Sequence, residues 1–135
     1  MQEKTFTNFT AEQAAAYAKG RGARSYPAPL LDAILDYHRS SSPSAVFDTL
    51  LDVGCGPGKV AYELMPLFSN VIGVDPGKQM IEAAKADARF TNANGKARFE
   101  VCSAEECGDV DGIAGTVDLV TVAMAVNYMN RDPND

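Results

Sequence analysis

Apolar residues follow two different rhythms along this chain. Up to about residue 44 they recur at helical spacing, and beyond it they come in short continuous runs separated by breakers. "TAEQAAAYAK" predicts a helix with Thr10 as N-cap and Gln13 at the capping-box position. "GRGARSYPAP" reads as a breaker-rich loop. "PLLDAILDYH" then places Leu30, Leu31, Ile34, Leu35 and His38 at helical spacing, a second amphipathic helix. The serine-rich "RSSSPSA" that follows reads as a solvated linker.

After the linker, strands and helices alternate. "TLLDVG" predicts a buried strand, followed by glycines and a helix from about Lys59 to Leu67. "NVIGVD" predicts a second strand, and "GKQMIEAAKADARF" one long helix with Met80, Ile81, Ala84 and Ala88 on one side. "ARFEVC" and "TVDLVTVAMAV" predict a third and a fourth strand. The order β-α-β-α-β-β, with apolar runs in place of alternation, predicts an α/β fold whose parallel sheet is covered on both faces.

Composition narrows the function classes. A length of 135 residues suits one domain, and 46% hydrophobic with 22% charged residues is ordinary for a globular protein. The net charge is −6 and the Lys and Arg residues are scattered, so no basic face is expected for nucleic acid. The polar "MQEKTFTNFT" does not read as a signal peptide, and the run "VDLVTVAMAV" is too short to span a membrane. Three cysteines, Cys55, Cys102 and Cys107, fit reduced thiols in a cytoplasmic protein. With the single His38 they do not have zinc-ligand spacing, so no metal is expected.

The candidate chemistry lies in "DVGCGPGK", at the carboxyl end of the first strand, where open parallel sheets bind ligands. Gly54 permits a tight turn, Gly56 removes a Cβ where a ligand would touch backbone, and Gly58 allows close packing at the helix start. The following helix start is expected to offer free N–H groups and a partial positive charge. Asp75 ends the second strand 75 − 54 = 21 residues after Gly54, a spacing at which a carboxylate meets ribose hydroxyls. It would repel a 2′-phosphate, so an adenosine without one is expected. Lys59 stands where G-x-G-x-x-G requires its last glycine, which disfavours a nicotinamide dinucleotide, and Val60 after Lys59, where a P-loop needs Ser or Thr, disfavours Mg-ATP.

The D-x-G-x-G-x-G arrangement led by Asp52 resembles the first motif of class I S-adenosylmethionine-dependent methyltransferases. The resemblance continues through "NVIGVDPGKQM", with Pro76 and Met80 after the acid, and through "CSAEEC". The preface, with Tyr17 and "RSYPAPLLDAILDYH", is similar to that of the trans-aconitate methyltransferase-like group, which includes fungal small-molecule methyltransferases. The resemblance implies a Rossmann-like sheet of order 3-2-1-4 with an N-terminal helical preface. It implies an S-adenosylmethionine site formed by Tyr17, Asp52, Gly54, Cys55, Gly56, Gly58, Asp75, Pro76, Met80, Ser103, Ala104 and Glu105, with Tyr17 and the Arg24–Tyr26 region as a lid. Residues 1–44 would be a helical cap and linker, and residues 45–135 the cofactor-binding half of a methyltransferase domain. The implied reaction is methyl transfer to a small-molecule acceptor through oxygen or carboxylate, with no general base identified.

Two departures from that group stand out. "AVNYMNRD" replaces the group's His-Trp-Phe-Asp-like segment, and the C-terminal strands of the full fold are absent from this sequence. The alternative is therefore a non-catalytic cofactor-binding remnant or half-domain, pairing with a partner or a second copy through the apolar edge "VDLVTVAMAV". Plainer roles are open to several residues: Cys55 as a buried filler, Met80, Met124 and Met129 as core, Glu105 and Glu106 as solvated loop charges, and Tyr17 as helix packing. His38 would complement the dipole at a helix end.

Overall fold

Among the described residues four parallel strands form one sheet: β1 (Thr49–Val53), β2 (Asn70–Asp75), β3 (Ala97–Val101) and β4 (Leu119–Thr121), in the order β3-β2-β1-β4. This is the order expected. It comes from a computed structural model that describes residues 10–19, 26–42 and 44–123. All five residues of β1 are buried, because the strand is flanked by β2 and β4 and covered on both faces. A strand in that position carries a continuous apolar run in place of alternation. The register sets Asp52 of β1 between Gly73 of β2 and Thr121 of β4.

One face of the sheet carries Leu50 and Val71, packed under α3 (Lys59–Leu64), α4 (Lys78–Ala86) and α5 (Ala88–Thr91). Val60, Ala61, Leu64, Ile81, Ala84 and Phe90 fill that layer. The preface consists of α1 (Ala11–Lys19) and α2 (Ala28–Ser41). α1 packs against α4, and α2 joins the same core through Leu35. On the other face, Leu51, Val53, Ile72 and Val74 meet Ile113 and half-buried side chains such as Val110 and Val117. Those come from a 3₁₀ segment (Ala104–Asp109) and the turns after it, so among the described residues no α-helix covers this face.

The capping box of α1 forms as predicted. Gln13 N donates to Thr10 Oγ1 at 3.1 Å, and Thr10 N donates to Gln13 Oε1 at 2.8 Å. The helix predicted as one piece after β2 is instead two. Asp87 leaves helical geometry (ψ 122°) and its carboxylate accepts from Arg89 N at 2.9 Å, capping α5. The break turns Ala88 outward and Phe90 inward, correcting the expected buried face. In α2, Leu35 and His38 face the core while Leu30 is exposed. His38 does not merely complement a dipole: it is buried, its Nε2–H donates to the Val46 carbonyl at 2.6 Å, and its ring meets Phe47 edge-on at 4.8 Å.

Candidate cofactor site

Three glycines bring the chain off β1 with positive φ: Gly54 at 69°, Gly56 at 53° and Gly58 at 98°. L-residues rarely adopt these angles. The three differ in what surrounds them. A Cβ on Gly58 would lie 2.6 Å from the Phe90 ring, so this glycine permits the close packing of α3's start against α5. A Cβ on Gly56 would meet no protein atom within 4 Å, which leaves open space on that side of the loop.

The backbone donors of the loop itself already have partners; the free N–H groups expected at the start of the following helix are a separate set. Gly54 N and Cys55 N both donate to the Val74 carbonyl, at 2.8 and 3.0 Å. Gly58 N donates to the Cys55 carbonyl at 3.0 Å, and Gly56 N donates to Asp75 Oδ2 at 2.9 Å. Pro57 has no N–H. A loop arranged this way holds its own shape but has no row of donors for a phosphate group.

Asp75 is therefore part of the loop's framework as well as the acid at the end of β2. Its other oxygen accepts from Gly77 N at 2.8 Å, and the side chain is 7% exposed. Burial raises its pKa, while the Gly77 and Gly56 N–H bonds oppose the rise. The Asp75 carbonyl accepts from Cys102 N at 3.1 Å, which draws the end of β3 alongside. That bond places Ser103, Ala104 and Glu105 on the neighbouring turn, with Ser103 and Ala104 half-buried and Glu105 exposed.

Asp52 sits deeper, 2% exposed at the penultimate position of β1. Thr121 Oγ1 donates to its Oδ1 at 2.8 Å across the β1–β4 pairing. Burial pushes this carboxyl up to about 7, the Thr121 bond opposes the shift, and the nearby Asp75 adds to it. The ion pairs among the described residues, Arg39–Asp36, Arg89–Asp87 and Arg98–Glu100, involve neither acid. Thr121 was not among the residues predicted for the site. Its signal was a hydroxyl inside an otherwise apolar strand, one that needs a polar partner once buried.

The remaining predicted residues divide by position. The Cys55 side chain lies in the core, its Sγ 3.0 Å from where a Cβ on Gly73 would stand, so its backbone alone belongs to the loop surface. Burial raises its thiol pKa well above the usual value, with Asp52 and Asp75 adding to the shift. Met80 is buried and Pro76 exposed. Lys59, at the loop's end, holds its ammonium 4.9 Å from the centre of the Tyr26 ring and so joins the preface to the loop. The side chain of Tyr17, together with Arg24 and the "NYMN" segment, lies outside the described residues. Among the described residues no cluster of His, Cys, Asp and Glu has metal-binding geometry. A shallow hollow of about 490 Å³ opens at the opposite end of the sheet, lined by Phe47, Asn70 and Lys96 among others, away from these groups.

A family model described as "Methyltransferase domain" matches residues 50–135. The chain belongs to that family. This methyltransferase domain is 31% identical over 108 residues, 80% of the chain, to the "Probable S-adenosylmethionine-dependent methyltransferase CRG1" of Saccharomyces cerevisiae. It is 36% identical over 81 residues, 59% of the chain, to the mitochondrial ubiquinone biosynthesis O-methyltransferase of Homo sapiens. The chain spans 35% and 21% of the lengths of these two relatives. Among solved structures it superposes on the plantazolicin methyltransferase BamL, crystallised with a triazolic desmethylPZN analogue and S-adenosylhomocysteine, with a TM-score of 0.57 and 22% identity. That match covers 78% of this chain and 38% of the other. It supports the fold of the methyltransferase domain and nothing finer.

Proposed function

We propose that this chain binds S-adenosylmethionine across the carboxyl ends of β1, β2 and β3 and serves methyl transfer to a small-molecule acceptor through oxygen or carboxylate. The observation that carries the reading is the arrangement of Asp75 beside the glycine loop. A buried carboxylate stands next to the open side of Gly56, in a loop whose own N–H groups are engaged. That combination suits ribose hydroxyls and a ligand without a pyrophosphate, which favours an adenosyl sulfonium over a dinucleotide. The sulfonium supplies the reactivity of an in-line displacement, so the protein's work is positioning.

In this reading Asp52, Gly54, Cys55, Gly56 and Gly58 form the loop wall, with Cys55 contributing backbone. Asp75, Pro76 and Met80 support the ribose side, and Ser103, Ala104 and Glu105 the adenine edge. Tyr17 belongs to a cap over residues 1–44, and residues 45–135 are the cofactor-binding half. The oxygen acceptor draws support from the O-methyltransferase relative. No helix among the described residues is long and apolar enough to cross a membrane, and the three free thiols suit a reducing, cytoplasmic setting. Calorimetric titration with S-adenosylhomocysteine and with NAD tests the ligand class, and methyl incorporation into a panel of phenols and carboxylic acids tests the acceptor. Binding of NAD without the thioether would overturn the reading.

A second reading is favoured by the place of β4 at the edge of the four-stranded order, with Val120 in its middle and Val122 just beyond it exposed. An apolar edge of this kind pairs readily with another strand, from a partner or a second copy. Sedimentation decides it: a monomer at high concentration contradicts self-pairing.

A further inference from the structure

We infer that Cys102 and Cys107 form a reversible thiol–disulfide pair bracketing the turn after β3, and that closing it bends this turn and weakens cofactor binding. The effect on binding rests on the cofactor reading above, which gives Ser103, Ala104 and Glu105 to the adenine edge. The pair itself does not.

The fold turns both thiols to one place. Cys102 follows β3 and is fixed by its N–H, which donates to the Asp75 carbonyl at 3.1 Å. The chain then enters the 3₁₀ segment Ala104–Asp109, where Glu106 N donates to the Ser103 carbonyl at 3.2 Å. Three residues per turn set Cys107 over Ala104. Cys102, Ala104 and Cys107 accordingly pack, half-buried, on the patch of sheet formed by Leu51, Val53 and Val74 among others. Both thiols are free, and burial, then the neighbouring Cys107, push Cys102 up to about 11. Cys55 is separated from the pair by the sheet, since it lies in the core on the opposite face.

A 3₁₀ run has poorer hydrogen bonds than an α-helix and yields readily. This one carries Glu105 and Glu106 in solvent, so few contacts resist its movement. A disulfide holds its two Cα atoms about 4.4–6.8 Å apart. Closure draws Cys107 back towards the end of β3 and displaces the residues between.

The oxidant is a low-molecular-weight disulfide such as oxidised glutathione. Cys107, on the turn, attacks first, because Cys102 is held protonated. The Cys107 thiol loses its proton, a bond forms to one glutathione sulfur, and the other glutathione leaves as a thiolate that takes up a proton. Cys102 then gives up its proton and attacks the Cys107 sulfur, releasing the second glutathione. Two cysteines lose two electrons together, and one disulfide is reduced to two thiols. Excess reduced glutathione reverses both steps.

The test incubates the 135-residue chain with oxidised glutathione or with dithiothreitol, maps thiols by alkylation and mass spectrometry, and titrates each form with S-adenosylhomocysteine. The oxidised chain should lose two hydrogens, carry no glutathione, and yield a peptide linking Cys102 to Cys107 with Cys55 still free. Its affinity should fall by about tenfold, the effect of losing one well-placed hydrogen bond, and dithiothreitol should restore it. Cys107→Ser should bind equally well under both conditions. Lasting glutathione adducts, a disulfide between two chains, or two thiols that survive oxidation overturn the pair. A Cys102–Cys107 bond that leaves affinity unchanged overturns its control of the turn. No binding by the reduced chain overturns the cofactor reading instead, and the thiol map still decides the pair.

Discussion

Asp75 Oδ2 accepts the Gly56 N–H at 2.9 Å, so the acid ending β2 and the glycine loop after β1 form one hydrogen-bonded unit. The carboxylate that would hold a ribose also determines the shape of the loop beside it. Removing it therefore has two separable effects. Asp75→Ala is expected to weaken S-adenosylhomocysteine binding by about 1.5–3 kcal/mol, the range for charge-assisted hydrogen bonds. It also leaves the Gly56 and Gly77 donors without acceptors, lowering folding stability by about 1–3 kcal/mol. Asp75→Asn keeps one acceptor oxygen and should recover part of the stability but little of the affinity. Urea denaturation and calorimetry on both variants measure the two effects, and unchanged affinity in both would place the ligand elsewhere.

Gly56 and Gly58 make a paired experiment. Gly58→Ala meets the Phe90 ring at 2.6 Å and adopts φ 98°, so overpacking joins backbone strain. The expected loss of stability is about 1–3 kcal/mol from strain and a similar amount from overpacking. Gly56→Ala at φ 53° meets open space and should lose only the strain component. Its binding, however, should fall more than tenfold, and Gly56→Val should abolish it, because the new methyl groups enter the ligand's space. Thermal denaturation of Gly58→Ala and titration of Gly56→Ala check the contrast.

Asp87 separates α4 from α5, and its carboxylate both caps α5 and receives Arg89 Nη2 at 2.7 Å. Asp87→Ala should cost about 1 kcal/mol, the usual effect of losing an N-cap. Asp87→Ser, which keeps a capping oxygen but not the charge, should recover most of it. Chemical denaturation of the two variants distinguishes the cap from the ion pair.

What the sequence revealed depended on how local the determining contacts are. β1, β2 and the capping box of α1 are written in neighbouring residues: apolar runs between breakers, and a Thr10–Gln13 pair three residues apart. The engagement of the Gly54, Cys55 and Gly56 donors was not legible, because their acceptors are the Val74 carbonyl and the Asp75 side chain, about twenty positions on. Thr121 was harder still, since its partner Asp52 lies 69 residues away and only the β1–β4 register joins them. The helix break at Asp87 looked like helix because Asp and Ala, unlike Pro, do not announce a stop.

Burial of Asp52 has a consequence for folding that needs no ligand. Its carboxyl titrates near 7 in the native chain, against an ordinary value of 3.8 in the unfolded one. Between those values the native state holds a proton that the unfolded state has lost, so raising the pH favours unfolding. The contribution is complete below about pH 4 and is lost progressively as pH rises to about 7, a change on the order of 4 kcal/mol. Other acids act in the opposite sense: Arg89 holds the Asp87 carboxyl below its usual range, which gives stability lost as pH falls. The comparison with Asp52→Asn isolates this contribution, since both proteins share every other group. Urea denaturation from pH 4.5 to 8 should show wild-type stability falling relative to the variant as pH rises. A constant difference across that range would mean that Asp52 is ionised throughout, its charge held inside the strand by the Thr121 hydroxyl.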